Sequence, residues 1–236
     1  MKMDLILQEY GELLRKVGFW FAGCEGKHPS AISCRTGCSD CCRGLFDITL
    51  LDALYLKSGF DRLDVGIRAR VMDKTKARLL SLQALWPDFE APYILNYRPE
   101  EEWEILMPED DETSCTLLSE GGTCLVYDFR PMTCRLHGLP LKDISGEVLH
   151  DEWCTLNFVG ENPLEMEDLS WEFYALFREE LRIFREFTKK IFKKSINELD
   201  TFIVTAILID FDHFPWRKWR KENPFIFPDI HKSSID

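Results

Sequence analysis

The chain has 236 residues, 45% of them hydrophobic and 30% charged, and a formal net charge of −12. A chain of this size builds a core without disulfide staples, so its nine cysteines need another explanation. The negative mean field repels a phosphate backbone, which sets nucleic acid aside as a partner.

Asp4, Gln8, Glu9 and Glu12 interrupt the N-terminal stretch where a secretion signal would be apolar. That stretch reads instead as an amphipathic helix over 4–18, with Leu5, Ile6, Leu13, Leu14 and Val17 at helical spacing. Residues 22–46 are rich in Gly, Pro, Ser and Cys without periodicity, and predict a loop. Thr49 followed by Asp52 reads as a cap opening a second helix, with Gly59 placed to stop it. A third helix is expected over 63–84, ending before Trp86-Pro87.

Segments 93–97 and 103–107 read as short strands, and the acidic run 109–112 as a solvated loop. Two apolar stretches, 115–118 and 124–127, flank the turn signal Ser119-Glu120-Gly121-Gly122 and predict a β-hairpin that sets Cys115 near Cys124. Phe173, Phe177, Leu181, Phe184, Phe187 and Ile191 form one stripe, so a long helix is expected over 166–194. Asn197 reads as the cap of a last helix running to about Asp212, and 215–236 as an irregular tail. The apolar-rich run at 202–209 is too short to span a membrane. The expectation is a mainly α-helical single domain over 1–236, with a small β-hairpin and irregular cysteine-rich loops. Its cysteine core covers about 34–158, and helices from both ends pack around it. The expected compartment is the reducing cytoplasm, with no membrane partner; there, clustered cysteines mean metal more often than disulfides.

The cysteines fall into two groups: Cys34, Cys38, Cys41 and Cys42, then Cys115, Cys124, Cys134 and Cys154. Thiolates are soft ligands that suit zinc and iron–sulfur clusters. Intervals of two or three residues let neighbouring thiolates curl around one centre, and Gly37 eases the backbone. Adjacent side chains tend to diverge, so Cys41 and Cys42 point to two centres, or to one ligand and one supporting thiol. Eight thiols fill two four-cysteine sites, or one site with reserve thiols. Cys24 stands apart, and packing is the simpler role for it.

Cys34-x₃-Cys38-x₂-Cys41 matches the spacing of radical-SAM enzymes, but Asp40 stands where an aromatic residue usually precedes the third cysteine. No strand–helix alternation follows. Arg35 and Arg43 flank the first group, and Arg130 and Arg135 flank Cys134; cations favour thiolate over thiol, or these arginines pair with Asp128 and other carboxylates. His137 and His150 lie near cysteines in sequence and read as structural or surface groups. No phosphate-binding loop, nucleophile elbow, zinc-protease or dinucleotide fingerprint is present in the sequence.

Taken together, Cys34, Cys38, Cys41-Cys42, Cys115, Gly122-Thr123-Cys124-Leu125-Val126-Tyr127, Arg130-Pro131-Met132-Thr133-Cys134-Arg135 and Trp153-Cys154 resemble the YkgJ-type cysteine-cluster family. Its shared domain is described as chelating zinc or iron. The resemblance covers about 34–158; the three-residue gap between Cys34 and Cys38 departs from the two of many relatives. It implies a bacterial cytoplasmic protein that binds zinc or an iron–sulfur cluster through the eight cysteines, with Tyr127, Arg130 and Arg135 packed around the ligands, and no settled reaction. A related cluster occurs in flagellin lysine methylases together with much longer partner regions; that activity is not carried over. A Cys34-Cys38-Cys41 triplet with a distant fourth thiolate suits a [4Fe–4S] cubane, which is preferred to zinc. The alternatives are a zinc interaction module, an iron–sulfur enzyme in electron or group transfer, and a metal-free thiol redox sensor; a protein partner is left open.

Overall fold

The computed structural model describes residues 3–35, 37–108 and 110–227. It is mainly α-helical, with two small two-stranded antiparallel sheets among the described residues. Helix α1, Asp4–Lys27, runs nine residues past the expected end. Its last turns are held by Trp20, whose ring stacks on Trp171 at 5.6 Å and meets Phe173 edge-on at 5.0 Å. The loop therefore starts near His28 rather than at 22.

Strand β1 is Asp47–Thr49, and helix α2 is Leu50–Phe60. Thr49 caps α2 as expected, its side chain accepting the Asp52 N–H at 3.1 Å. Gly59 lies inside the last turn and does not stop the helix; a Cβ there would sit 2.3 Å from Phe129 Cγ, so packing requires the glycine. Helix α3, Val65–Leu85, is capped by Asp64, starts two residues later than expected, and ends before Trp86-Pro87 as the sequence predicts.

No strand forms at 93–97 or 103–107; helix α4, Glu100–Glu104, carries Trp103 inward. Trp86, Phe89, Leu95, Trp103 and Phe202 form a satellite core there, which gives these aromatics a buried face without a sheet. Glu109 lies outside the described residues, but the acidic run is not simply solvated: Asp111 pairs with Arg78 and Glu112 with Arg43.

The predicted hairpin at 115–127 is a turn with one isolated bridge, Leu118 to Cys124, and no strands. The chain turns away at once into a 3-10 turn at Tyr127–Phe129 and helix α5, Met132–Leu136. The hairpin in the fold is instead β2, Leu141–Lys142, with β3, Val148–His150. Helix α6, Phe173–Phe192, begins seven residues later than expected, after two 3-10 turns at Pro163–Glu165 and Glu167–Leu169.

The segment expected as a last helix splits. Strand β4, Asp200–Phe202, pairs with β1, followed by the four-residue helix α7, Ile203–Ala206. Asn197 caps nothing and accepts from Arg185 Nε at 2.8 Å. The tail is not irregular throughout: helix α8, Trp216–Glu222, buries Trp216 and Trp219 against Phe192. Residues 228–236 lie outside the described set.

The main core draws on α1, α2, α5, α6, α7 and α8. At its centre α1 packs on α5 and α6, while α2 lies beside α7. This leaves the loop before β1, the turn at 115–124 and α5 on one side of α1 and α2, where the cysteines are.

Candidate metal centre

Two loops are tied into one frame. The Cys115 N–H donates to the Cys42 carbonyl at 2.8 Å, and the Gly44 N–H to the Thr113 carbonyl at 2.8 Å. Tight turns curl the first group, with the Cys38 N–H on the Arg35 carbonyl and the Cys42 N–H on the Ser39 carbonyl, both at 2.9 Å. Gly37 takes φ +93, a left-handed conformation that glycine adopts freely, as the sequence suggested.

Helix α5 brings Cys134. Arg130 is extended ahead of Pro131, and the Met132 N–H at the start of α5 donates to Asp52 Oδ1 at 2.9 Å, which pins the helix to α2. Asp52 also accepts the Tyr10 hydroxyl at 2.7 Å. A fourth stretch brings Cys154: Asn157 donates to Cys34 Sγ at 3.3 Å and to the Gly138 carbonyl at 2.7 Å, and accepts the Ser33 N–H at 2.8 Å. Gly138, at φ +111, leaves room for Cys34 Sγ, which would stand 3.1 Å from a Cβ there.

The outcome is convergence. A cavity of about 80 Å³ is lined by Cys38, Cys41, Cys42, Cys115, Cys124 and Cys134, with Tyr127, Arg130 and His137. Cys34 and Cys154 lie on the outer side, in two further pockets that share Cys41: about 490 Å³ with Cys34, and about 400 Å³ with Cys154. Cys41 is the thiol common to all three cavities. Contrary to the divergence expected of neighbours, Cys41 and Cys42 line the same cavity. All nine cysteines are free thiols. Among the described residues no group of three or more Cys, His, Asp or Glu is arranged to hold a metal ion. The thiols ring a cavity without meeting at a point. In donor chemistry they fit a soft metal; in position, side-chain rotation would have to draw them in.

Burial governs their ionisation. It pushes up the pKa of Cys34, Cys115, Cys124, Cys134 and Cys154, Cys115 to about 11. Cys41 is raised first by the neighbouring Cys42 thiol, then by burial. Arg130 opposes this at Cys41, Cys124 and Cys134, and Arg135 at Cys124. Burial outweighs the cationic pull that the flanking arginines were expected to exert.

Among the described residues, neither Arg130 nor Arg135 meets a carboxylate. Arg130 lies 3.6 Å from the Tyr127 ring centroid and donates to the Tyr127 carbonyl; Arg135 donates to the Arg130 and Asp128 carbonyls at 3.0 and 2.7 Å. Arg43, by contrast, is spent on Asp40 and Glu112. Cys24 is only 2% exposed, packed with Ile32, Leu139, Phe158 and Leu169 in a small cluster that Cys34 borders, and lines none of the three cysteine cavities. His137 is more central than its sequence position suggested: it lines all three cysteine cavities, and the surrounding protein lowers its pKa although its side chain reaches solvent. Asn157 and Gly138 were not legible as site residues; the only trace is their closeness in sequence to Cys154 and Cys134. From the two ends of the chain, α1 lines the pocket of about 490 Å³ and Ile203 of α7 the small cavity, whereas α6 and α8 line none of the three. A further cavity of about 700 Å³ lies elsewhere, between the start of α1 and residues 207–213, and has no thiol.

No helix among the described residues is long and apolar enough to cross a membrane. No protein-family model, no curated protein and no solved structure matches this chain.

Proposed function

We propose that this chain binds metal through cysteine thiolates, at the cavity lined by Cys38, Cys41, Cys42, Cys115, Cys124 and Cys134, with Cys34 and Cys154 closing its outer side. The observation that carries this reading is that six free thiols from three separate stretches of chain line one small cavity. Chance packing of small apolar side chains does not gather them so. The preferred group is an iron–sulfur cluster, with zinc as the alternative; more than four thiols, centred on the closely spaced Cys38, Cys41 and Cys42, favour the cluster. Such a cluster, when bound, supplies one-electron chemistry. The chain's own part is to desolvate the thiols, hold Cys134 through the Asp52–Met132 bond, and set Arg130 and His137 at the cavity wall.

The test is metal content and the absorption spectrum of protein purified under reducing conditions. A brown protein with broad absorbance near about 400 nm and iron with acid-labile sulfide supports the cluster. A colourless protein with stoichiometric zinc turns the reading to a zinc interaction module. A protein with neither overturns thiolate metal binding.

An enzymatic role in electron or group transfer is supported by the pocket of about 490 Å³ beside the thiols, a volume usual for small-molecule sites. The metal-free redox sensor has less support, because sensor thiols need low pKa values and burial raises those of Cys115 and Cys124.

A further inference from the structure

The pocket of about 490 Å³ has an unusual charge balance for a protein carrying −12. Arg35, Arg130 and Arg135 line it, and Glu25 is its one carboxylate. Among the described residues, none of the three guanidinium groups forms an ion pair. Arg135 is held by two backbone carbonyls and Arg130 by one carbonyl and the Tyr127 ring. Neutral partners fix a guanidinium in place without cancelling its charge. Both groups keep terminal nitrogens that donate to no described protein acceptor: Nη1 of Arg135, which faces Gly18 of α1, and Nη1 and Nη2 of Arg130. Donors held in this way cost little further ordering when an acceptor arrives.

The geometry points to this pocket as the binding site of a small molecule bearing an oxyanion group, a carboxylate or a phosphate, held by Arg35, Arg130 and Arg135 beside the Cys34–Cys41 thiols. Arg135 and Arg130 form the fixed part of the site and Arg35, exposed on the rim, the mobile part. Tyr127 and Phe21 give the rest of the ligand aromatic surface. The site goes beyond the metal reading and does not need a metal to exist, but it places a charged substrate where the proposed centre would act on it.

Isothermal titration of the full chain with inorganic phosphate and with malonate, at constant ionic strength and with chloride as the control, tests it. Saturable binding of either at one site is expected, and which probe binds tells phosphate from carboxylate. Arg135→Gln and Arg35→Gln are each expected to weaken it by about tenfold or more, the value of one charged hydrogen bond. Metal content is measured on every sample and is expected to match that of the parent protein. No saturable binding beyond chloride, or equal binding by both variants, overturns the inference. Loss of metal together with anion binding in both variants also overturns it, because the arginines then serve the metal. A metal-free parent that still binds anion in an arginine-dependent way upholds this site and sinks the metal reading alone.

Discussion

At the scale of single residues, the thiols divide by surroundings. Cys134→Ser is expected to lower metal content by half or more and Cys24→Ala to leave it unchanged, as elemental analysis would show. Cys24→Ser is a poorer control than its distance from the cluster suggests. A hydroxyl among Ile32, Leu139 and Phe158 is buried in apolar surroundings and should cost about 1–3 kcal/mol in urea unfolding. Gly59→Ala should destabilise by about 1–3 kcal/mol, since the added methyl lands on the Phe129 ring; the same assay checks it. Single-residue signals are where the sequence was most informative. Cysteine spacing marked the thiol set because ligation constrains residue type and interval. Gly59 looked like a helix stop because its reason lies 70 residues away, at Phe129. Asn157 was invisible for the same cause: its three bonds run to Ser33, Cys34 and Gly138.

At the scale of elements, Asp52 joins three of them. It takes Tyr10 from α1, caps its own helix with Thr49, and holds the first turn of α5. Asp52→Ala leaves the buried Met132 N–H without its acceptor and the Tyr10 hydroxyl with Glu180 alone, and should cost about 1–3 kcal/mol in denaturant unfolding. Metal loss should accompany it, because Cys134 rides on α5. Glu180 of α6 accepts the same Tyr10 hydroxyl at 3.2 Å, and burial followed by repulsion from Asp52 raises its pKa to about 8. A carboxyl raised in the fold keeps its proton there while the unfolded chain loses it. Its stabilising share is therefore present below the ordinary glutamate range and is lost as pH rises through the folded value. Thermal unfolding of Glu180→Gln should thus fall less between pH 5 and pH 9 than that of the parent protein. Elements with local signals were legible: the Thr49 cap and α3 follow from neighbours in sequence. Those made by distant pairing were not. Residues 200–206 read as helix because their apolar run hides its partner, β1, and the Asp47–Phe202 pairing spans most of the chain. The turn at 115–124 kept its shape but not its strands, because the Cys42–Cys115 bond supplies the neighbour a hairpin would have provided.

At the scale of the whole molecule, thiols pushed up by burial must lose protons to take metal. Affinity should therefore rise from pH 6.5 to pH 8, read by competition with a chelator, and proton release should accompany binding. The fold class was legible from periodicity; the arrangement around the site was not, because α1, α5 and the 154–157 stretch meet through contacts that no local pattern records. The backbone bond between Cys42 and Cys115 carries a further consequence, for biosynthesis. Seventy-two residues separate the two, and they include α2, α3 and α4. At about 5–20 residues per second, Cys115 leaves the ribosome roughly 4–15 s after Cys42, and Cys154 roughly 6–22 s after it. Through that interval the first four thiols are exposed on an unfinished chain. A metal delivered then meets a nine-residue loop, and one delivered after release meets the assembled cavity. The thiolate reading thus makes metal loading a late event, one that tells a completed chain from a truncated one.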